Sequence, residues 1–357
     1  MKEFKILSNF YSNKKVLITG HTGFKGSWLS LLLEELGSKI IGVSKEILKK
    51  PSLFQTIKFK NVDTKFCDVS NLKKFKEIIK KEKPDIIFHL AAQSVVSKSY
   101  LDPNQTVLSN TIGVLNLLEI LRKYKKKCSV VIITSDKCYK NLENKSGYDE
   151  NSYLGGDDIY SASKAAAENL IYSYNKSFFS KDKKIKISSA RAGNVVGGGD
   201  WTVDRLVPDI IRNWSNKKIV EIRSPKSIRP WQHVLDPLYG YLILAKKMYL
   251  NSNFIGTAYN FGPRNTNKKV IDVLSLMSRH WDNFCNVSIK KNKKFNETKI
   301  LKLKINKAKT DLKWKPNLNF NETIKLTTLW YKKYYLSNTK NLTDFTKKQI
   351  REYFSKL

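Results

Sequence analysis

The stretch Lys14-Lys-Val-Leu-Ile-Thr-Gly-His-Thr-Gly-Phe-Lys-Gly26 begins as a short apolar run and ends in glycines spaced G-x-x-G-x-x-G. Lys14 to Gly20 reads as a short buried strand, and Ser27 to Leu36 as the helix that follows it. Gly20, Gly23 and Gly26 permit a tight turn between the two. They let backbone N–H groups approach a pyrophosphate at the helix N-terminus, where the dipole favours negative charge. Glycine triplets occur by chance, but one that joins a first strand to a first helix is a dinucleotide-binding signature. Thr22, Phe24 and Lys25 lie in the same turn and join the glycines as candidate cofactor contacts.

Outward from this unit, strands and helices alternate. Ile40 to Val43 is a second strand, and its end, Val43-Ser44-Lys45, offers no acid for a ribose 2′-OH. The residues alone therefore leave NAD and NADP both open at Ser44. Phe66-Cys-Asp68-Val69 brings an acid to the adenine end of a dinucleotide or leaves it solvated at a strand end. Asn71 to Lys81 patterns as an amphipathic helix. Pro84 to Ala92 is nearly continuously apolar, as a parallel strand buried on both faces is. Its end, Ala91-Ala92-Gln93, is small enough for a ribose or nicotinamide to lie across it. His89, among apolar neighbours, reads as a core histidine. Asn104 to Tyr124 is a long helix in which the amide of Asn110 needs partners; it would fix a catalytic water or the backbone near Lys164, and is a candidate cofactor contact.

The chemistry concentrates in Val130-Val-Ile-Ile-Thr-Ser-Asp-Lys-Cys-Tyr139 and Tyr160-Ser-Ala-Ser-Lys164. An apolar fifth strand ends abruptly in a hydroxyl, a carboxylate and an amine. Open α/β sheets bind ligands beyond the carboxyl ends of their strands. Tyr160 and Lys164, at i and i+4, share one face of a helix that runs to about Ser177. Ser135, Asp136, Lys137, Tyr160 and Lys164 are the expected reaction centre. Ile185 to Ala190 returns as a sixth strand, so the alternation argues a doubly wound parallel α/β sheet of Rossmann type. Residues 1–192 form the dinucleotide-binding part on this reading, with a segment near 232–262 returning to it. Residues 193–357 are mainly a smaller α/β substrate lobe and C-terminal helices.

Arg191-Ala-Gly-Asn-Val-Val-Gly-Gly-Gly-Asp-Trp201 opens that lobe. Asn194 and Trp201 are candidate sugar-nucleotide contacts because they leave the sixth strand beside the centre. Arg205, Arg223, Arg229 and Arg264 follow, with Trp231 and His233. Arginine suits bidentate phosphate recognition, so Arg205, Arg229 and Arg264 are candidate pyrophosphate ligands, and His233 a candidate substrate contact. Trp281, Trp314, Trp330 and Tyr331 are expected packing anchors in the tail.

The net charge of +35 is the outlier in an otherwise ordinary globular composition. The lysines are dispersed (Lys49-Lys50, Lys80-Lys81, Lys125 to Lys127, Lys290-Lys291), without the interleaved aromatics of a base-stacking surface. Neither nucleic acid nor membrane is an expected partner. The longest apolar stretch, Leu238 to Leu250, is interrupted by lysines and too short to span a bilayer. Cys67, Cys128, Cys138 and Cys285 lie far apart, without metal-ligand spacing. Free thiols and the lack of an apolar N-terminal run lead us to expect a cytoplasmic protein without a metal.

Over nearly its whole length the sequence resembles the extended short-chain dehydrogenase/reductase family, and within it the nucleotide-sugar 4,6-dehydratases. Thr19-Gly-His-Thr-Gly-Phe-Lys-Gly26, His89 to Gln93, Thr134 to Tyr139, Arg191 to Trp201, Arg229-Pro-Trp-Gln-His-Val234 and Leu342 to Ile350 carry the likeness. Members acting on dTDP-glucose usually read Thr-Asp-Glu where this chain reads Ser135-Asp136-Lys137. The lysine is similar to the branch acting on CDP-glucose. The resemblance implies NAD as cofactor, CDP-glucose as substrate, and a place in deoxysugar and cell-surface polysaccharide synthesis. It also implies a homodimer or dimer of dimers, through the helices Asn104 to Tyr124 and Tyr160 to Ser177. Its chemistry gives Tyr160 the C4 hydroxyl proton, with Lys164 lowering the tyrosine pKa, and gives Ser135 the C4 oxygen. Lys137 takes the C5 proton, and Asp136 protonates the departing C6 hydroxyl.

Two other readings use the same residues differently. A 4-epimerase or simple reductase needs Tyr160 and Lys164 but no acid–base pair after Ser135. A polyanion binder on a retired scaffold needs only the charge, and it would bind nucleic acid tightly with a steep salt dependence. Dispersed lysines predict no such binding to duplex DNA or RNA at physiological salt. A filter-binding titration that found tight association there would reverse the assignment.

Overall fold

A computed structural model describes residues 1–264, 267–281, 284–289, 299–337 and 341–357; Lys290 and Lys291 lie outside them. The strands are β1 (Lys15–Thr19), β2 (Lys39–Ser44), β3 (Val62–Phe66), β4 (Ile86–His89), β5 (Cys128–Ile133), β6 (Ile185–Ala192), β7 (Val195–Val196), β8 (Val220–Ile222), β9 (Gln232–His233), β10 (Tyr259–Phe261) and β11 (Val287–Ile289). Strands β10-β6-β5-β4-β1-β2-β3 form a 7-stranded sheet in that order. All its pairings are parallel. The chain winds outward from β1 in one direction and from β4 in the other, so the switch point lies between them. Six strands are expected from the apolar runs; the seventh, β10, is only three residues long, too short for periodicity to announce.

Alternation along each strand divides the core in two. Val16 and Ile18 face one side with Phe88, Val131 and Ile133, against Trp28 to Leu33 and Leu238 to Leu244. Leu17 and Ile41 face the other with Ile87, Val130 and Ile132, against Phe75, Ile79, Leu117, Leu118 and Ile171. Every residue of β4, β5 and β6 is buried. Edge strand β3 has no fully buried position.

The helices begin and end where local chemistry directs. The first sheet helix is Phe24–Glu35, three residues ahead of the periodicity, so the last glycine-loop residues are already helical. The expected helix 104–124 is continuous but contains a π turn, Leu108–Ile112, between Pro103–Val107 and Gly113–Arg122. Asp102 caps its start through Gln105 N at 2.9 Å. Asp158 caps Ile159–Tyr174 through Ser161 N at 2.9 Å. This fixes the turn that carries Tyr160.

Beyond β6, β7 pairs with β9 and β8 with β11, each in parallel. The helices Phe320–Leu336 and Thr343–Ser355 then fold back onto the sheet domain. Trp281, Trp314, Trp330 and Tyr331 are all fully buried, as packing anchors should be. Tyr331 donates its hydroxyl to the Asp200 carbonyl and accepts from Asp200 N at 2.9 Å. The C-terminal helix is tied down at Asp236, which accepts from Tyr353 Oη at 2.9 Å and Asn317 N at 2.7 Å. Cys67, Cys128 and Cys138 are buried free thiols. Among the described residues no helix is long and apolar enough to cross a membrane, and no cluster of ligating side chains could hold a metal ion.

One contact joins the glycine loop to the neighbouring strands. His21 lies flat over Gly42 of β2, with Nδ1 2.9 Å from Ser44 Oγ and Nε2 3.1 Å from Thr64 Oγ1. Burial lowers the imidazole pKa to about 4, so at neutral pH it is an uncharged spacer. A Cβ at Gly42 would stand 2.3 Å from its Cδ2. Gly42→Ala should therefore cost about 1–3 kcal/mol of stability by overpacking, read as a lower denaturant midpoint. His21→Ala added to it should restore part of the loss; equal, additive losses would show that the ring is not the obstacle.

Candidate active site

β5 stops at Ile133, and Ser135 caps the short 3₁₀ turn Asp136–Cys138. Ser135 Oγ accepts from Lys137 N at 3.2 Å and donates to Asp136 Oδ1 at 3.0 Å. Asp136 is buried, and its Oδ2 has no partner among the described residues. Burial raises its pKa above the usual carboxylate range, against Lys137, Ser135, Arg229 and Lys25. Lys137 is half-buried at the rim of the turn.

Tyr160 and Lys164 come from the helix Ile159–Tyr174, and both are buried. Burial raises the tyrosine pKa, and the neighbours that most strongly pull it back are Ser135 and Arg205. Burial also lowers Lys164 to about 8, with Glu168 and then Cys138 opposing. The five expected centre residues do converge on one point beyond the carboxyl end of β5.

The dinucleotide cradle lies beside them. Gly20 has φ +71°, and a Cβ there would stand 2.9 Å from Ala91 N at the end of β4. A Cβ at Gly26 would stand 2.1 Å from the Gly20 carbonyl oxygen. Only glycine leaves this groove open at the helix N-terminus, and that form fits a dinucleotide pyrophosphate. Gly23, Thr22 and Phe24 complete the turn, with Thr22 Oγ1 donating to the Glu46 carbonyl at 2.8 Å. Lys25 is half-buried and stands over the reaction centre. Burial lowers its amine to about 8, helped by Arg205 and Lys164 and opposed by Asp136 and Asp200. Ala91, Ala92 and Gln93 line the groove, half-buried. At its far end Lys45 pairs with Asp68 at 3.3 Å. Burial alone would raise the Asp68 carboxyl, but two hydrogen bonds from Ser70, then Lys45, bring it below its usual value. Val69 is buried behind it, against Gly113.

Several expected ligands are otherwise engaged. Asn110 is 1% exposed, and its amide is spent on the Gln93 backbone (2.8 and 3.0 Å) and Ser163 Oγ (2.9 Å). It staples the end of β4 to the Lys164 helix and presents nothing to a cofactor. Ser44 is buried, its hydroxyl committed to His21 and Thr22 N. His233 is fully buried, edge-on to Trp28, with Nδ1 accepting from Leu235 N at 3.3 Å. It is a core histidine out of a substrate's reach, and burial lowers it to about 3. Trp201 packs on Trp330, Tyr331 and Tyr334 and donates its indole N–H to Tyr335 Oη at 3.0 Å, so it anchors the helix Phe320–Leu336.

The arginines separate by position. Arg205 is braced by Asp200 Oδ2 and Ser94 Oγ, each at 2.9 Å, and faces Tyr160. Arg229 lies near Asp136. Arg264 donates to the Pro316 carbonyl at 2.9 Å and sits by Asp236 and Glu322, among C-terminal elements. Asn194 is half-buried, its carbonyl accepting from Gln232 N at 3.0 Å. The sequence reading passed over Ser94, Asp200 and Glu168. Glu168 carried a visible signal, since it follows Lys164 by one helical turn.

This arrangement offers a hydroxyl pair, a carboxyl group whose pKa burial raises, and several cations around one groove. Comparison with known proteins agrees in extent. The family model described as GDP-mannose 4,6 dehydratase matches residues 17–327. The chain is 38% identical over 353 residues to the CDP-glucose 4,6-dehydratase of Salmonella typhimurium, covering 97% of this chain and 98% of that protein. Among solved structures, the epimerase Mth375 of Methanothermobacter thermautotrophicus superimposes with a TM-score of 0.82 at 22% identity, over 97% of each chain. The dTDP-glucose 4,6-dehydratase of Bacillus anthracis, solved with NAD, gives 0.73 at 22% identity, over 90% of this chain and 97% of that one. Those two likenesses speak to the fold. With the family match spanning most of the chain and a relative aligned nearly end to end, the protein belongs to the nucleotide-sugar 4,6-dehydratase family.

Proposed function

We propose that the chain is an NAD-dependent lyase that converts CDP-glucose to CDP-4-dehydro-6-deoxyglucose with loss of water. The observation that carries the reading is Asp136, its pKa raised by burial and one oxygen unengaged among the described residues, directly beside Lys137 and within the Ser135–Tyr160–Lys164 set. A 4-epimerase has no use for a proton donor there. The Salmonella relative named for CDP-glucose and the lysine at 137 support the choice of nucleotide.

Bound NAD, seated in the Gly20–Gly26 cradle, would accept hydride from C4 of the hexose and return it to C6. Everything else falls to the chain's own groups. Tyr160 takes the C4 hydroxyl proton as that oxygen becomes a ketone, while Ser135 hydrogen-bonds it. Ser135 and Arg205 are the neighbours that favour the phenolate against its burial. The ketone makes the C5 hydrogen acidic, and Lys137 removes it. Asp136 protonates the C6 hydroxyl, which leaves as water. After hydride returns to C6, C5 regains a proton, so the net change is one water lost and the cofactor ends oxidised. Lys25, Arg205 and Arg229 supply positive charge for the substrate pyrophosphate.

The same reading makes the chain a homodimer, supported by the exposed Tyr100, Leu101, Val107, Tyr172 and Phe178 along the helices of one face. Buried free thiols suit a cytoplasmic setting.

Incubation with CDP-, dTDP-, UDP- and GDP-hexoses should give loss of one water, read by mass, with CDP-glucose preferred. No loss with any of them overturns the reading. Lys137→Ala should still reduce NAD but lose water about 10²–10⁴-fold more slowly, without deuterium entering C5 from solvent. Normal product formation by that variant removes Lys137 from the role of base.

A further inference from the structure

Glu168 and Arg191 form an ion pair of 2.7 Å in which both side chains are almost dry, at 2% and 5% exposure. The dehydration chemistry does not use either group. A buried pair of this kind returns about what its desolvation costs, so stability alone gives no reason for it. Its connections do. The Thr134 hydroxyl donates to Glu168 Oε1, and the Ser189 hydroxyl donates to Oε2 at 2.7 Å. The other arm of Arg191 donates to Tyr139 Oη at 2.8 Å and to the Glu150 carbonyl at 3.3 Å. The guanidinium lies 4.9 Å from the Tyr139 ring centroid, and Tyr139 donates onward to Asn260 Oδ1 of β10 at 2.7 Å.

Thr134 and Tyr139 are the residues on either side of Ser135, Asp136, Lys137 and Cys138. Glu168 stands one turn past Lys164 on the helix that also bears Tyr160. One carboxylate thus fastens the end of β5, strand β6 and the Tyr160 helix to each other. We infer that Glu168, locked to Arg191, is a positioning residue that sets the Ser135–Lys137 turn against the Tyr160 helix and supplies the counter-charge for Lys164. The inference rests on the proposed dehydratase reading.

The charges around Lys164 bear this out. Tyr160 and Glu168 face it from its own helix, Cys138 from the 3₁₀ turn, His89 from β4 and Lys25 from the glycine loop. Burial lowers His89 to about 3 and pushes the Cys138 thiol up, so both are neutral near pH 7. Lys25 repels the ammonium. Glu168 is the first group opposing the burial that brings Lys164 to about 8. Steps that need the ammonium are lost as pH rises through that value. Removing the carboxylate lets Lys164 deprotonate at lower pH, and an unpaired Arg191 pushes in the same direction.

Glu168→Gln, Glu168→Asp and Ser189→Ala enzymes should be compared with wild type, from neutral to alkaline pH, for CDP-glucose dehydration and for NAD affinity by tryptophan fluorescence. Glu168→Gln should move the alkaline limb down by about one pH unit, about tenfold in rate at pH values above the wild-type limb, and NAD affinity should follow the same curve. Glu168→Asp should keep the wild-type limb at reduced rate. Ser189→Ala, which leaves the carboxylate less shielded, should hold the limb or move it up. A uniform loss in Glu168→Gln with an unmoved limb overturns the inference. If that variant does not fold, a downward shift in Glu168→Asp or Ser189→Ala overturns it. A wild type inactive on every nucleotide hexose refutes the dehydratase reading instead, and the NAD-affinity curves still decide the role of Glu168.

Discussion

The structure depends on one close approach, that of Gly20 to the backbone of Ala91. β1 and β4 are neighbours whose chains depart in opposite directions, and a groove opens between their carboxyl ends. The loop after β1 can turn back across β4 only because residue 20 has no Cβ and takes a φ of +71°. From that crossing follow the start of the helix at Phe24, the placing of Lys25 over the reaction centre, and the seat for a dinucleotide. His21 secures the other side of the loop by resting on Gly42, a second position where a methyl group has no room.

Burial is the other governing factor, and it acts on four titrating groups in and beside the centre. It raises Asp136 and Tyr160 and lowers Lys25 and Lys164. Each shift disfavours the charged form, as desolvation must. What distinguishes the groups is the company each keeps. Asp136 has cations nearby yet leaves one oxygen unengaged, which suits a proton donor. Lys164 has Glu168, which suits a group that must stay charged. The acid and the cation come from the same low-dielectric pocket by local pairing alone.

How much of this was legible in the sequence follows from which signals are local. The fold was legible because parallel strands buried on both faces read as continuous apolar runs, as in Ile86 to His89 and Cys128 to Ile133. The members of the centre were legible because a strand end and an i, i+4 pair are properties of short segments. Roles set by distant partners were not. Asn110 and His233 look functional as isolated polar residues, but their surroundings arrive from Gln93 and Ser163 in one case and Trp28 in the other. Trp201 is claimed by a helix far downstream, through Tyr335, 134 residues on. Lys25 belongs by sequence to the cofactor loop, and only the packing of that loop against β4 carries its charge to Asp136.

The charge balance of the centre closes the argument about what it receives. Lys25, Lys137, Lys164, Arg205 and Arg229 surround it, while the carboxylates facing them are Asp136, Asp200 and Glu168. Burial raises Asp136, Glu168 is shared between Arg191 and Lys164, and Asp200 is taken by Arg205. An excess of cations therefore remains in a desolvated groove, where burial already lowers the pKa of Lys25 and Lys164. A group carrying two negative phosphates would relieve it more fully than a neutral sugar could, and would strengthen the ammonium form of both lysines on entry. The anionic half of a nucleotide sugar is thus suited to do more than hold the substrate. By holding Lys164 more firmly as the ammonium it would support the hydride machinery at the moment the hexose arrives.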